Sequence, residues 1–191
     1  MTYLPIKRFF DVVFSLIGLI ATFVPGIAIA ATIRLTSPGP AIYWSSRVGR
    51  DNRAFLMPKF RTMQIDTPEL ASHLLEAPKA HITPVGGFLR ATSLDEIPQL
   101  WSVLLGEMSL VGPRPALHNQ SDLIELRTSH GVHKLLPGIT GWAQVHGRDE
   151  LELSTKVKYD AWYAANLSLK TDVLILIRTV TAVLNRRGVS H

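Results

Sequence analysis

VVFSLIGLIATFVPGIAIAATI, residues 12 to 33, runs without a single charged side chain. About 22 residues at 1.5 Å each reach across the roughly 30 Å of a bilayer core, so length alone allows an ordinary spanning helix. Two features point elsewhere. Pro25-Gly26 sits in mid-run, where a proline deletes a backbone donor and kinks or breaks a helix. The flanks do not choose opposite sides: Lys7 and Arg8 precede the run, and Arg34, Arg47, Arg50 and Arg53 follow it. Cationic flanks stay on the cytoplasmic side. With both ends there, the segment must enter and turn back. The expectation is a re-entrant helix-break-helix in one leaflet, broken at Pro25, with Asp11 pairing with Lys7 and Arg8 at the interface.

The rest of the chain sets bounds. At 191 residues it is one domain, or one domain plus an anchor; the division expected is anchor 1–36 and cytosolic catalytic domain 37–191. Hydrophobic residues make up 47% and charged residues 18%, with mean hydropathy +0.18 and the apolar excess near the N-terminus. The net charge of +5 fits an anionic membrane or a phosphorylated substrate. No zinc-finger spacing, RNP-type motif or lysine-rich arm supports nucleic acid. The absence of cysteine excludes disulfides and thiolate metal sites.

Ser37-Pro38-Gly39-Pro40 reads as a hinge. Residues 41–44 and 54–57 read as a strand pair around the basic turn RVGRDNR. Helices are expected at 67–75, 96–105, 116–127, 151–166 and 171–186. The last places Val173, Leu176, Ile177, Val180, Val183 and Leu184 on one side and Arg178, Arg186 and Arg187 elsewhere. That face suits either the domain core or a lipid surface. The fold class is α/β, mostly α with a small β hairpin or sheet: a compact domain with interfacial amphipathic helices behind a re-entrant membrane helix.

The chemistry concentrates in SLDEIPQLWSVLLGEMSLVGPRP, residues 93 to 115. Pro98 near a helix start makes Asp95 an N-cap candidate, ionised by the helix dipole. Asp95 beside Glu96 is a cap, a metal-ligand pair, or a nucleophile toward phosphorus with its partner. The surrounding cations favour phosphate chemistry. Arg90 lies five residues upstream. Lys59 and Arg61 alternate on an expected strand and so share a face. Arg114 is aimed by two prolines, and Gln144 and Arg148 follow a glycine-bearing loop. His130-x-x-His133 lacks a third ligand and carries no metal site. There is no Walker A loop, GxGxxG, HExxH or G-x-S-x-G.

Read together, Lys7-Arg8-Phe9-Phe10-Asp11, the broken apolar run, Lys59-Phe60-Arg61-Thr62-Met63, Ser93 to Leu100, Ser109 to Pro115 and Pro137 to Gln144 resemble the bacterial sugar transferases, the small monotopic polyprenol-phosphate phosphoglycosyltransferases. The resemblance covers about residues 5 to 188. It implies a UDP-sugar donor, an N-acetylhexosamine derivative by similarity to small members, and undecaprenyl phosphate as acceptor. It implies Asp95 as nucleophile, a phosphosugar ester, UMP release and Mg²⁺ as cofactor, with Asp95 and Glu96 as its ligands. Glu96 either binds that metal or activates the acceptor. Lys59, Arg61, Arg90, Arg114 and Arg148 would hold phosphates. Gln144 and Asp160, the latter through Lys156-x-x-x-Asp160-x-x-Tyr163, would complete the pocket. The place of work would be the cytoplasmic face of a bacterial inner membrane, among membrane lipids. Many members carry serine before the breaking proline; here it is Val24. The residues alone leave open a metal-dependent direct displacement, a non-enzymatic membrane scaffold, and homo-oligomerisation.

Overall fold

A computed structural model describes residues 3–68, 78–147 and 151–184. The chain opens with α1 (Tyr3–Thr36), assigned as one helix of 34 residues with Pro25 inside it. The expected helix-break-helix is corrected: Pro25 stands inside an unbroken helix. A proline removes one N–H, and the rungs on either side persist. At 1.5 Å per residue the helix is about 51 Å long, and it touches the rest of the molecule along most of that length. Lys7 pairs with Asp172 at 2.6 Å. Arg8 donates to the carbonyls of Val103 and Leu104 at 2.5 and 2.8 Å. The Leu110 N–H donates to the Asp11 carboxylate at 3.0 Å. Gly18 faces Leu100 and Gly26 faces Phe60. Ile33 is fully buried with Phe60 and Leu89, and Ile29 and Ala30 pack beside them. The expected pairing of Asp11 with Lys7 and Arg8 is therefore corrected: all three face the domain, and each finds its partner there. The opposite face stays bare, with Phe9, Phe14, Ile17, Ile20, Phe23, Val24 and Ile27 exposed.

β1 (Ile42–Val48) and β2 (Ala54–Phe60) form an antiparallel hairpin, with Ile42 opposite Phe60 and Val48 opposite Ala54. Both strands outrun the expected spans, and Arg47 belongs to a strand rather than the turn. Asp51 and Asn52 close the turn at positive φ. The remaining elements are α2 (Gly86–Ala91), α3 (Gln99–Leu105), β3 (Ser109–Val111), β4 (Ala116–Leu117), α4 (Ser121–Ser129), β5 (Gly138–Thr140), α5 (Leu153–Ala165) and α6 (Leu169–Leu184). β4 joins the hairpin beside β1. It takes the start of the expected helix 116–127, because Gln120 turns the chain by accepting the Leu117 N–H. The expected helix 67–75 lies largely outside the described residues, as do Arg186 and Arg187.

β3 and β5 form a short parallel pair, Ser109 beside Gly138 and Val111 beside Thr140. Gly112 donates to Thr140 O and Gly138 donates to Pro113 O. A Cβ on Gly138 or Gly141 would collide with the Gly112 backbone. Glycine is required there because two backbones touch. The contact sets GPRP against PGITG.

α6 buries Thr171, Asp172 and Ile175, and exposes Val173, Leu174, Ile177 and Val180. Of the apolar face read from sequence, the outward part is free of the core. Asp172 is a hub. Tyr3 Oη and Lys7 Nζ both donate to its Oδ2, at 2.5 and 2.6 Å, and Tyr163 Oη to its Oδ1 at 2.7 Å. Phe88, Trp101 and Leu105 add exposed apolar surface on α2 and α3.

Candidate active site

Asp95 sits in a 3-10 turn, Leu94–Glu96, ahead of α3. Ser93 turns the chain with φ 56°, and Pro98, not Asp95, occupies the N-cap position of α3. The N-cap expectation is corrected: the helix starts later than the carboxylate pair, so its dipole is not what sets the charge on Asp95. Asp95 is 9% exposed, and burial followed by repulsion from Glu96 pushes its carboxyl up to about 6. Lys59, Arg114 and Arg90 pull the other way. Lys59 comes from β2 and Arg90 from α2. Burial and the charge of Arg47 push the Lys59 ammonium down to about 8. Its Nζ lies 5.4 Å from the Tyr43 ring centroid. Arg114 pairs with Glu96 at 2.9 Å. The structure therefore brings Asp95, Glu96, Lys59, Arg90 and Arg114 together, and adds Arg47.

Three expected pocket residues stand elsewhere. Arg61 follows the end of β2 and turns away from Lys59. Its guanidinium donates to the carbonyls of Pro40 (2.7 Å) and Ser37 (3.0 Å), fastening the hinge after α1. Asp160, 1% exposed, pairs with Arg127 at 2.6 Å. Arg127 also donates to the backbone carbonyl of Arg114 at 2.7 Å. Asp160 therefore acts on the site through Arg127 and the GPRP turn. Burial pushes its carboxyl up while Arg127 opposes. Gln144 donates to Ile139 O at 3.2 Å and braces the PGITG loop. Arg148 lies outside the described residues. Sequence reasoning missed Arg127, which looks like an ordinary helix-surface cation. A signal existed: an aspartate in the apolar pattern of α5 calls for a buried counter-ion.

Among the described residues no group of three or more His, Asp or Glu side chains is placed to hold a metal. Magnesium does not need one. It binds through one or two carboxylates, waters and substrate phosphates. Asp95 and Glu96 fit that donor set, and the repulsion between them is what a cation would relieve.

The fold and site define a domain built along an apolar helix, with a buried carboxylate dyad ringed by cations. The model of the bacterial sugar transferase family matches residues 2–186, and the chain belongs to that family. It is 40% identical over 201 residues to the undecaprenyl-phosphate galactose phosphotransferase of Salmonella typhimurium, covering 96% of this chain and 41% of that protein. It is 37% identical over 192 residues to the UDP-N-acetylgalactosamine-undecaprenyl-phosphate N-acetylgalactosaminephosphotransferase of Aeromonas hydrophila, with 97% and 45% covered. It is 37% identical over 188 residues to the uncharacterized sugar transferase EpsL of Bacillus subtilis, with 97% and 91% covered. The chain thus spans under half the length of the first two.

Proposed function

We propose that this protein is a phosphoglycosyltransferase that moves a sugar 1-phosphate from a UDP-sugar to undecaprenyl phosphate, starting a lipid-linked glycan. The observation that carries the reading is Asp95, buried among Lys59, Arg90 and Arg114 and paired in sequence with Glu96. The Asp95 carboxylate attacks the sugar-bearing phosphorus. That phosphorus–oxygen bond to the nucleotide breaks, and UMP leaves with the electron pair. A phosphate oxygen of the acceptor then attacks the phosphorus of the aspartyl ester, and the bond from that phosphorus to the Asp95 oxygen breaks, freeing the carboxylate and giving the polyprenyl-diphosphate sugar. The arginines and Lys59 offset the diphosphate charge that would otherwise repel a carboxylate. A magnesium ion held by the dyad would add to that neutralisation. Asp160 and Arg127 hold the backbone that presents Arg114. The donor sugar we favour is an N-acetylhexosamine derivative, a class that the name of the Aeromonas relative supports.

The same reading puts the protein on the cytoplasmic face of a bacterial inner membrane. Contacts from Lys7 to Ile33 keep both halves of α1 on one domain. A spanning helix would carry one half away from it. The bare faces of α1 and α6 suit lipid. A helix held along the domain with its bare face toward lipid keeps the dyad near the height of a lipid phosphate.

The test is UMP release from UDP-sugars by protein in nanodiscs, before acceptor is added, with mass spectrometry of the Asp95 peptide. A phosphosugar adduct that Asp95→Asn abolishes is expected. Normal turnover by that variant refutes the reading.

A further inference from the structure

Alternate residues of a strand share a face, and the hairpin register sets Tyr43 opposite Lys59, Ser45 opposite Met57 and Arg47 opposite Phe55. These six residues therefore form one face of the hairpin. It is the inward one: Ser45 and Met57 are buried, and Met57 packs with Val103 and Met108. The row is polar at both ends. Arg47 Nε donates to Ser45 Oγ at 3.0 Å, and the Lys59 ammonium feels the charges of Asp95 and Glu96.

The chemistry above uses that ammonium but does not say what holds it. Lysine carries a point charge on a flexible four-carbon stem, and Arg47 and Arg114 both repel it. Tyr43 answers the difficulty. Lys59 Nζ lies 5.4 Å from the centroid of its ring, inside the roughly 6 Å over which the negative face of an aromatic ring attracts a cation. The ring is half-buried and stands directly across the ladder from Lys59, so the strand pairing fixes where it sits. A carboxylate could hold the lysine as well, but it would cancel the charge and repel an incoming diphosphate. A ring restrains the cation and leaves its charge for the substrate.

We propose that Tyr43 is a positioning residue of the transferase, its ring face holding the Lys59 ammonium toward the Asp95–Glu96 dyad for the phosphates of the donor. The assignment rests on the nucleotide-sugar reading above. The test compares Tyr43→Phe with the same variant carrying one, two or three fluorines on the ring, each as the whole protein in nanodiscs. Fluorine is close to hydrogen in size, so packing hardly changes while each fluorine drains the negative face of the ring. The tyrosine hydroxyl is absent throughout the series and cannot create the trend. The donor is UDP-N-acetylgalactosamine, or whichever UDP-sugar the wild type turns over, and the readout is UMP release. On a logarithmic scale kcat/KM for the donor is expected to fall in near-equal steps, about tenfold in all, which corresponds to about 1.4 kcal/mol. Tyr43→Leu is expected to fall at least as far. A flat series overturns the proposal whatever Tyr43→Leu does, since a ring needed only for its shape tolerates fluorine. An unchanged kcat/KM in Tyr43→Leu overturns it too. Should Tyr43→Leu fail to fold, the fluorinated series decides alone. If the wild type releases no nucleoside monophosphate from any nucleoside diphosphate sugar, the transferase reading falls and this role with it; if UMP is released and the series is flat, the role of Tyr43 alone falls.

Discussion

Neutralising Asp95 should make the folded protein more stable while it removes the nucleophile. The carboxyl stands at about 6 in the fold against an ordinary 3.8. That is about two units at about 1.4 kcal/mol each, or close to 3 kcal/mol. The attraction of Lys59 and the arginines is already inside this net shift, because it pulls the value down. The folded value lies above the unfolded one, so the cost is absent below about pH 4, where both states are protonated. It grows between about pH 4 and 6 as the unfolded chain ionises first, and it is complete above pH 6. Asp95→Asn should therefore gain about 3 kcal/mol at pH 7.5, but only about half of that at pH 5. At roughly 2–4 °C per kcal/mol for a chain of this size, Tm should rise by about 6–12 °C at pH 7.5. The assay is thermal unfolding in detergent with EDTA present, wild type against variant, at both pH values. Comparing the two pH values cancels whatever the amide itself contributes. A variant no more stable than wild type at pH 7.5, or a gain that does not shrink at pH 5, would refute the reasoning.

Three further outcomes follow from the same geometry. The pH profile of kcat/KM should be a bell. Activity falls below about 6 as Asp95 takes a proton and falls above about 8 as Lys59 loses one; in Lys59→Arg the alkaline limb should disappear from that range. Asp160→Asn, by stranding the buried Arg127 charge, should cost about 3–5 kcal/mol in chemical denaturation. The double variant Arg127→Met, Asp160→Leu should recover much of that stability but not turnover, since the Arg114 carbonyl has lost its donor. Arg61→Lys should lower Tm with little change in donor KM, because one ammonium replaces the two separate guanidinium nitrogens that reach the Pro40 and Ser37 carbonyls; a several-fold rise in KM would return Arg61 to the phosphate site.

The dyad, Lys59, Arg90 and the GPRP arginine were legible because short motifs carry their own geometry. Two prolines restrict Arg114, and a strand fixes the side on which Lys59 projects. What escaped depends on pairings distant in sequence. The parallel contact of β3 with β5 spans three residues on each side, too few for alternation to register. Arg127 gains its role only when α5 brings Asp160 beside it. The N-cap reading of Asp95 failed on a single residue, since nothing local announces that Ser93 takes a left-handed backbone. Arg61 was misplaced because strand alternation was carried one residue past Phe60, where β2 ends. For α6 the periodicity was plain, but a periodicity does not say which of two apolar media it meets.

The Asp172 hub constrains the order of assembly. Lys7 and Asp172 are 165 positions apart, so a ribosome delivers the ammonium long before its counter-ion. Until α6 is made, Lys7 has to wait for that carboxylate. Locking the two ends together is then a step that only a nearly finished chain can take. A nascent chain cut short before α6 would leave the first turn of α1 unfastened.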